Sequence, residues 1–126
     1  QLVNSFREEV RIMSKLQSKK FDSPDETMTP GRAKVDVVNL GGFKINRFTF
    51  QPGWRWSEDI KPTAKTESCQ KAHLNVHISG RVGVKMDDGT EAVFGPGDIS
   101  LLPPGHDAWV LGKEPVVIIE QTPKDY

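Results

Sequence analysis

Three side chains able to donate to a metal ion, Glu67, Cys69 and His73, share one parity in the stretch Glu67-Ser-Cys-Gln-Lys-Ala-His73. On paired strands, residues of one parity point to one side, so the three would enter a single volume. An oxygen, a thiolate and an imidazole suit zinc or ferrous iron better than magnesium or calcium, because sulfur is a soft donor. The plainer reading of Cys69 is a buried free thiol that fills a small core gap. His77 lies on the same parity, four residues beyond His73. It can fix His73 by a hydrogen bond or act as acid or base toward a bound molecule, the alternative being a satisfied core histidine. Asn75, between the two, can hydrogen-bond a ligand or satisfy a neighbour.

Trp54, Trp56 and Trp109 have the surface to form either a core or the apolar wall of a pocket. Arg47, Arg55 and Arg81 are natural clamps for a carboxylate or phosphate if they turn inward, and ordinary solvated residues if they do not. Asp107 adjoins His106, but neighbours on a strand face opposite ways, so it is placed on the rim and not against that imidazole.

The elements that must hold these residues are short strands. Ala33 to Asn39 and Gly42 to Gln51 are rich in Val, Ile, Phe and Thr and flank a glycine turn. In the second, Phe43 and Ile45 share one parity and Phe48 and Phe50 the other, which predicts a bulge or a strand passing between sheets near Arg47. Lys71 to Ser79 alternates His73, Asn75 and His77 with Leu74, Val76 and Ile78. Arg81 to Met86, Thr90 to Phe94, Asp98 to Leu102, Asp107 to Leu111 and Pro115 to Gln121 follow, with Asp87-Asp88-Gly89 as a hairpin turn. Leu2, Phe6, Val10, Met13 and Leu16 recur at helical spacing, so residues 1–20 read as an amphipathic helix or arm. A polar, proline-containing connector runs to Arg32. The organisation is therefore an arm and connector over 1–32 and an all-β antiparallel sandwich or barrel over 33–126.

Lys and Arg together number 17, as do Asp and Glu, so no net field would gather nucleic acid or an anionic membrane. The lone cysteine cannot form an internal disulfide, no apolar run is long enough to span a membrane, and no signal peptide is evident, so a cytoplasmic protein is expected.

Gly95-Pro-Gly-Asp-Ile-Ser-Leu-Leu-Pro-Pro-Gly-His-Asp-Ala-Trp109, read with the upstream histidines, resembles the cupin family. That family has a first motif of His-x-His followed by Glu and Gly, and a second of Gly, Pro-x-Gly, His and Asn. Gly97 and Pro103-Pro104-Gly105 match the second frame, and His73 to Gly80 the end of the first. Pro52-Gly-Trp-Arg-Trp-Ser57, Glu67-Ser-Cys-Gln70 and Pro103 to Trp109 further resemble small single-domain cupins of undefined role. The resemblance implies a double-stranded β-helix, the cupin jelly-roll barrel, over roughly Val35 to Ile119. Carried over by position, Glu67 and Cys69 replace the two histidines, His73 replaces the glutamate, and Ala108 stands where the last histidine would be. His106, on the parity of Ala108, is then the substitute ligand.

These readings imply a small organic molecule bound in a polar barrel cavity, with zinc or iron held by Glu67, Cys69, His73 and His106. His77 would transfer protons, and Asn75, Trp54, Trp56 and Trp109 would line the pocket. Oxygenation, isomerisation or lyase chemistry would follow if it is an enzyme. The alternative is a ligand-sensing or dimerisation module whose metal site has decayed. Apolar edges on the arm and first strands, with the family habit, imply a homodimer.

Overall fold

A computed structural model describes Arg7 and residues 15–123. The helix expected over residues 1–20 lies largely outside the described residues, and residues 16–20 carry no regular structure. Nine strands are described: β1 (Glu26–Met28), β2 (Ala33–Leu40), β3 (Phe43–Phe50), β4 (His73–Ser79), β5 (Arg81–Met86), β6 (Glu91–Phe94), β7 (Ile99–Leu102), β8 (His106–Leu111) and β9 (Val116–Pro123). Two one-turn helices, α1 (Trp56–Asp59) and α2 (Lys61–Ala64), separate β3 from β4. The sequence reading missed both, since one turn is too short to show a helical period.

The strands form two antiparallel sheets, ordered β1-β2-β3-β9-β4-β7 and β6-β5-β8. Ala33, Leu102, Val116 and Ile118 of the larger sheet pack with Val82, Val84, Ala108 and Val110 of the smaller one, as a jelly-roll barrel requires. Gly80 lets the chain cross from β4 to β5. Its φ is +72°, and a Cβ there would lie 2.4 Å from the Pro115 carbonyl oxygen.

The bulge expected near Arg47 is absent: β3 pairs without a break to β2 and to β9. The apparent switch of apolar face has a different cause. Lys44, Asn46, Phe48 and Phe50 all line the interior, so the inward face of β3 is polar at one end and aromatic at the other. The irregularity lies instead in β4, where the register against β9 shifts between His77 and Ser79.

Register places inward residues of the larger sheet in rows. Lys44 of β3 faces Thr122 of β9, and His73 of β4 faces Leu102 of β7. The next row is continuous: Asn46, Glu120, Asn75 and Ser100. Below it come Phe48, Ile118 and His77. Polar residues therefore fill the interior face of β4, and Leu74, Val76 and Ile78 are turned outward and exposed.

Candidate metal centre

The sulfur of Cys69 and one ring nitrogen each from His73 and His106 lie within 4.8 Å of one another. Three segments deliver them. Cys69, in the loop after α2, forms an isolated antiparallel bridge with His106 at the start of β8, its N–H donating to the His106 carbonyl at 2.8 Å. Gly105 N–H donates back to the Cys69 carbonyl at 2.7 Å. His73 opens β4 on the adjoining wall.

The two imidazoles are oriented from behind. His106 Nδ1 donates to the Pro103 carbonyl at 2.7 Å. His73 Nδ1 donates to the carboxylate Oε2 of Glu120, whose Oε1 accepts from Asn46 Nδ2 at 3.1 Å. Neither a carbonyl nor a carboxylate can donate, so each Nδ1 carries the proton and each Nε2 is left as the metal-facing atom. Cys69 Sγ and His73 Nε2 are 3.6 Å apart. A tetrahedral zinc with bonds of about 2.3 Å to sulfur and about 2.0–2.1 Å to nitrogen would separate them by about 3.5 Å. The donor set and its spacing thus fit a transition metal.

Electrostatics agree. Burial pushes the Cys69 thiol up, but the imidazoles of His106 and His73 favour the thiolate, and the thiol falls to about 6. Burial pulls His73 down, but its contacts with Cys69 and Glu120 prevail and raise it to about 9. In the metal-free chain at neutral pH, a proton therefore sits on His73 Nε2 beside a thiolate. A bound cation would take that proton's place.

The cluster borders a cavity of about 650 Å³ inside the barrel. One wall is the polar face of the larger sheet, with Asn46, Asn75, His77 and Glu120; Phe48, Phe50, Trp54, Trp56 and Ile60 form an apolar surface, and Thr63, Thr66, Gln70 and Lys71 add polar groups from the segment between β3 and β4. His77 is buried, 2.8 Å from Ser100 Oγ and stacked on Phe94, and burial lowers its pKa, against a smaller opposing effect of Asp98. It is seated in the third row, away from the metal-ligating imidazoles, and does not touch His73 by any hydrogen bond described.

Two expected site residues are elsewhere. Glu67 is 96% exposed and pairs with Lys61 on the surface, because residues 65–72 form a loop in which strand parity has no force. Trp109 faces out of β8: its indole covers Gly83, where a Cβ would lie 2.5 Å away, and Arg55 stacks over it at 4.7 Å. Arg47 is likewise spent on buried Asp36. Asp107 lies on the outer side as expected, accepting from Ser57 N–H. Glu120 was missed. Its signal is a carboxylate on the parity of Val116 and Ile118, directly after the apolar run Val116 to Ile119, which demands a buried partner.

No family model and no curated protein matches the chain. Solved structures do. A Rhizobium leguminosarum protein of unknown function is 23% identical with a TM-score of 0.61, covering 86% of this chain and 96% of its own. A polyketide cyclase from Streptomyces resistomycificus is 16% identical with a TM-score of 0.62, covering 86% and 80%. An RmlC-like cupin from Shewanella frigidimarina is 15% identical with a TM-score of 0.57, covering 85% and 89%. The chain has the cupin fold. Set against the cupin motifs, the candidate cluster of this chain has other donors: Ala108 lines the cavity without a donor atom, and His106, one inward step earlier, reaches the cluster.

Proposed function

We propose that this cupin holds one zinc or ferrous ion on Cys69, His73 and His106 and binds a small organic molecule beside it in the barrel cavity. The observation that carries this is the commitment of both Nδ1 atoms, which leaves two Nε2 atoms and a thiolate converging on one point. Three protein donors leave a coordination position open, the arrangement of catalytic and not structural zinc sites. A metal there would supply Lewis acidity toward a ligand oxygen or lower the pKa of a bound water. The chain's own part is to hold the ligand between an aromatic wall and a polar row. His77, neutral and buried, is the group that would move a proton at Nε2, with Ser100 as its hydrogen-bonding partner. Oxygenase, isomerase and lyase chemistry all fit this arrangement.

The second reading is a sensing or dimerisation cupin whose metal site has decayed. Ala108 at an inherited ligand position favours it. Elemental analysis of protein grown with zinc and iron available separates the two: about one metal per chain supports the centre, and none ends it.

We also propose a homodimer, formed not on the first strands but on the outer face of β4 and β7. Leu74 and Leu101 are paired neighbours there, as are Val76 and Ile99, and Ile78 extends the patch. Ile99 and Leu101 are each 70% exposed. The five side chains offer roughly 500 Å², more than half of the about 800 Å² per partner of a standard interface. Among the described residues β7 is also an edge strand of the larger sheet. Light scattering at micromolar concentration should give a dimer, and Leu101→Lys should shift it to monomer. The single thiol, needed reduced as a ligand, suits the cytoplasm. Among the described residues no helix is long and apolar enough to cross a membrane.

A further inference from the structure

We infer that the ligand of this cavity is a small organic anion with an apolar body, and that Lys44 grips its acidic group. The inference rests on the cavity's being a ligand site, as proposed above, and adds the chemical class and the residue that reads it. Lys44 lines the cavity on the inward face of β3. It shares a row with Thr122, and β9 alone separates it from His73 on β4. Two strand spacings put these backbones about 10 Å apart, the span of one small molecule. An acid at Lys44 would leave the opposite end of such a molecule beside the Cys69, His73 and His106 cluster.

Charge balance gives the sign. No carboxylate is described within 4 Å of Lys44, and while exposed cations such as Lys65 and Lys85 also have none, Lys44 is one that lines the cavity. The one acid lining the cavity is Glu120, and its two oxygens are taken by Asn46 and His73. Lys71 adds a second cation to the lining. A lysine of intermediate burial that lines a cavity with no acid to spare favours an anionic guest.

Polar satisfaction points to the same place. Asn46, the next inward residue on β3, keeps a buried Oδ1 with no partner among the described residues. Buried acceptors are seldom left so, and this one lies on the cavity-lining residue nearest Lys44 along the strand. That oxygen calls for a hydrogen-bond donor on the guest, such as a hydroxyl beside its acidic group, while the aromatic half of β3, Phe48 and Phe50 with Trp54, supplies the seat for an apolar body.

The test is tryptophan-fluorescence titration of the full chain with 2-naphthoate and with its neutral analogue 2-naphthamide, at low salt, with metal content measured on the same samples. The acid is expected to bind about tenfold more tightly than the amide. Lys44→Met should abolish that preference by weakening acid binding about tenfold, and Lys44→Arg should keep it. Equal affinity for acid and amide, no binding of either, or a preference that survives Lys44→Met with an unchanged melting temperature would each overturn the inference. A metal-free sample that keeps the preference would contradict the metal centre while leaving the role of Lys44 standing.

Discussion

The barrel's two facing walls are built on opposite rules. Apart from His106 at the start of β8, the smaller sheet turns apolar side chains inward: Val82, Val84, Ala108 and Val110, all buried. The larger sheet buries Asn46, Asn75, His77, Ser100 and Glu120, each of which forfeits hydration on folding. One wall contributes packing. The other loses hydration and recovers it through cross-strand bonds such as Asn46 to Glu120 to His73 and His77 to Ser100. A fold that needed only stability would have no reason for the second wall, so the contrast locates function on it and on Cys69 and His106, which face its His73.

Substitutions should separate the walls. The largest effect is expected from Cys69→Ser, which should weaken zinc binding a hundredfold or more in a competition titration and shift the melting temperature little. Val84→Ala should do the reverse, lowering stability by about 2 kcal/mol through lost burial and a small cavity, with metal affinity unchanged; chemical denaturation measures it. Glu120→Gln removes a charge behind His73 but keeps the shape, so metal affinity should fall about tenfold to a hundredfold. If it falls no more than for a surface variant, Glu120 does not position His73.

The pH response is smaller and has a definite sign. With Cys69 at about 6 and His73 at about 9 in the metal-free chain, metal uptake near pH 7.5 displaces one proton, from His73. Below pH 6 the thiol is protonated as well, two protons must leave, and affinity should fall more steeply. Calorimetry in buffers of different ionisation enthalpy counts these protons. The smallest effect belongs to Glu67→Ala: an exposed carboxylate paired with Lys61 should change neither metal affinity nor stability measurably.

Much of this arrangement was legible in the residues. Alternation of His73, Asn75 and His77 with Leu74, Val76 and Ile78 placed the polar set on one face of β4, and the inward parity of His106 with Ala108 held. Parity failed where there was no strand. Glu67 and Cys69 lie in a loop, and Cys69 reaches the site by one bridge to His106 while Glu67 reaches solvent. The mixed pattern of β3 predicts a bulge or a strand passing between sheets because an inward-facing Lys44 and Asn46 break the hydrophobic period, which is how a binding wall differs from a packing wall. Trp109 needed knowledge of its neighbour, since only Gly83 leaves room for an indole on the outer face.

The central claim is a metal held by Cys69, His73 and His106 with Glu120 behind it, and anomalous scattering from crystals of protein grown with zinc and iron tests it most directly. One peak is expected, at the zinc or iron edge, bonded to Cys69 Sγ and to Nε2 of both histidines, and lost in Cys69→Ser. Crystals showing no peak between these atoms, or a peak coordinated through Nδ1, would contradict it.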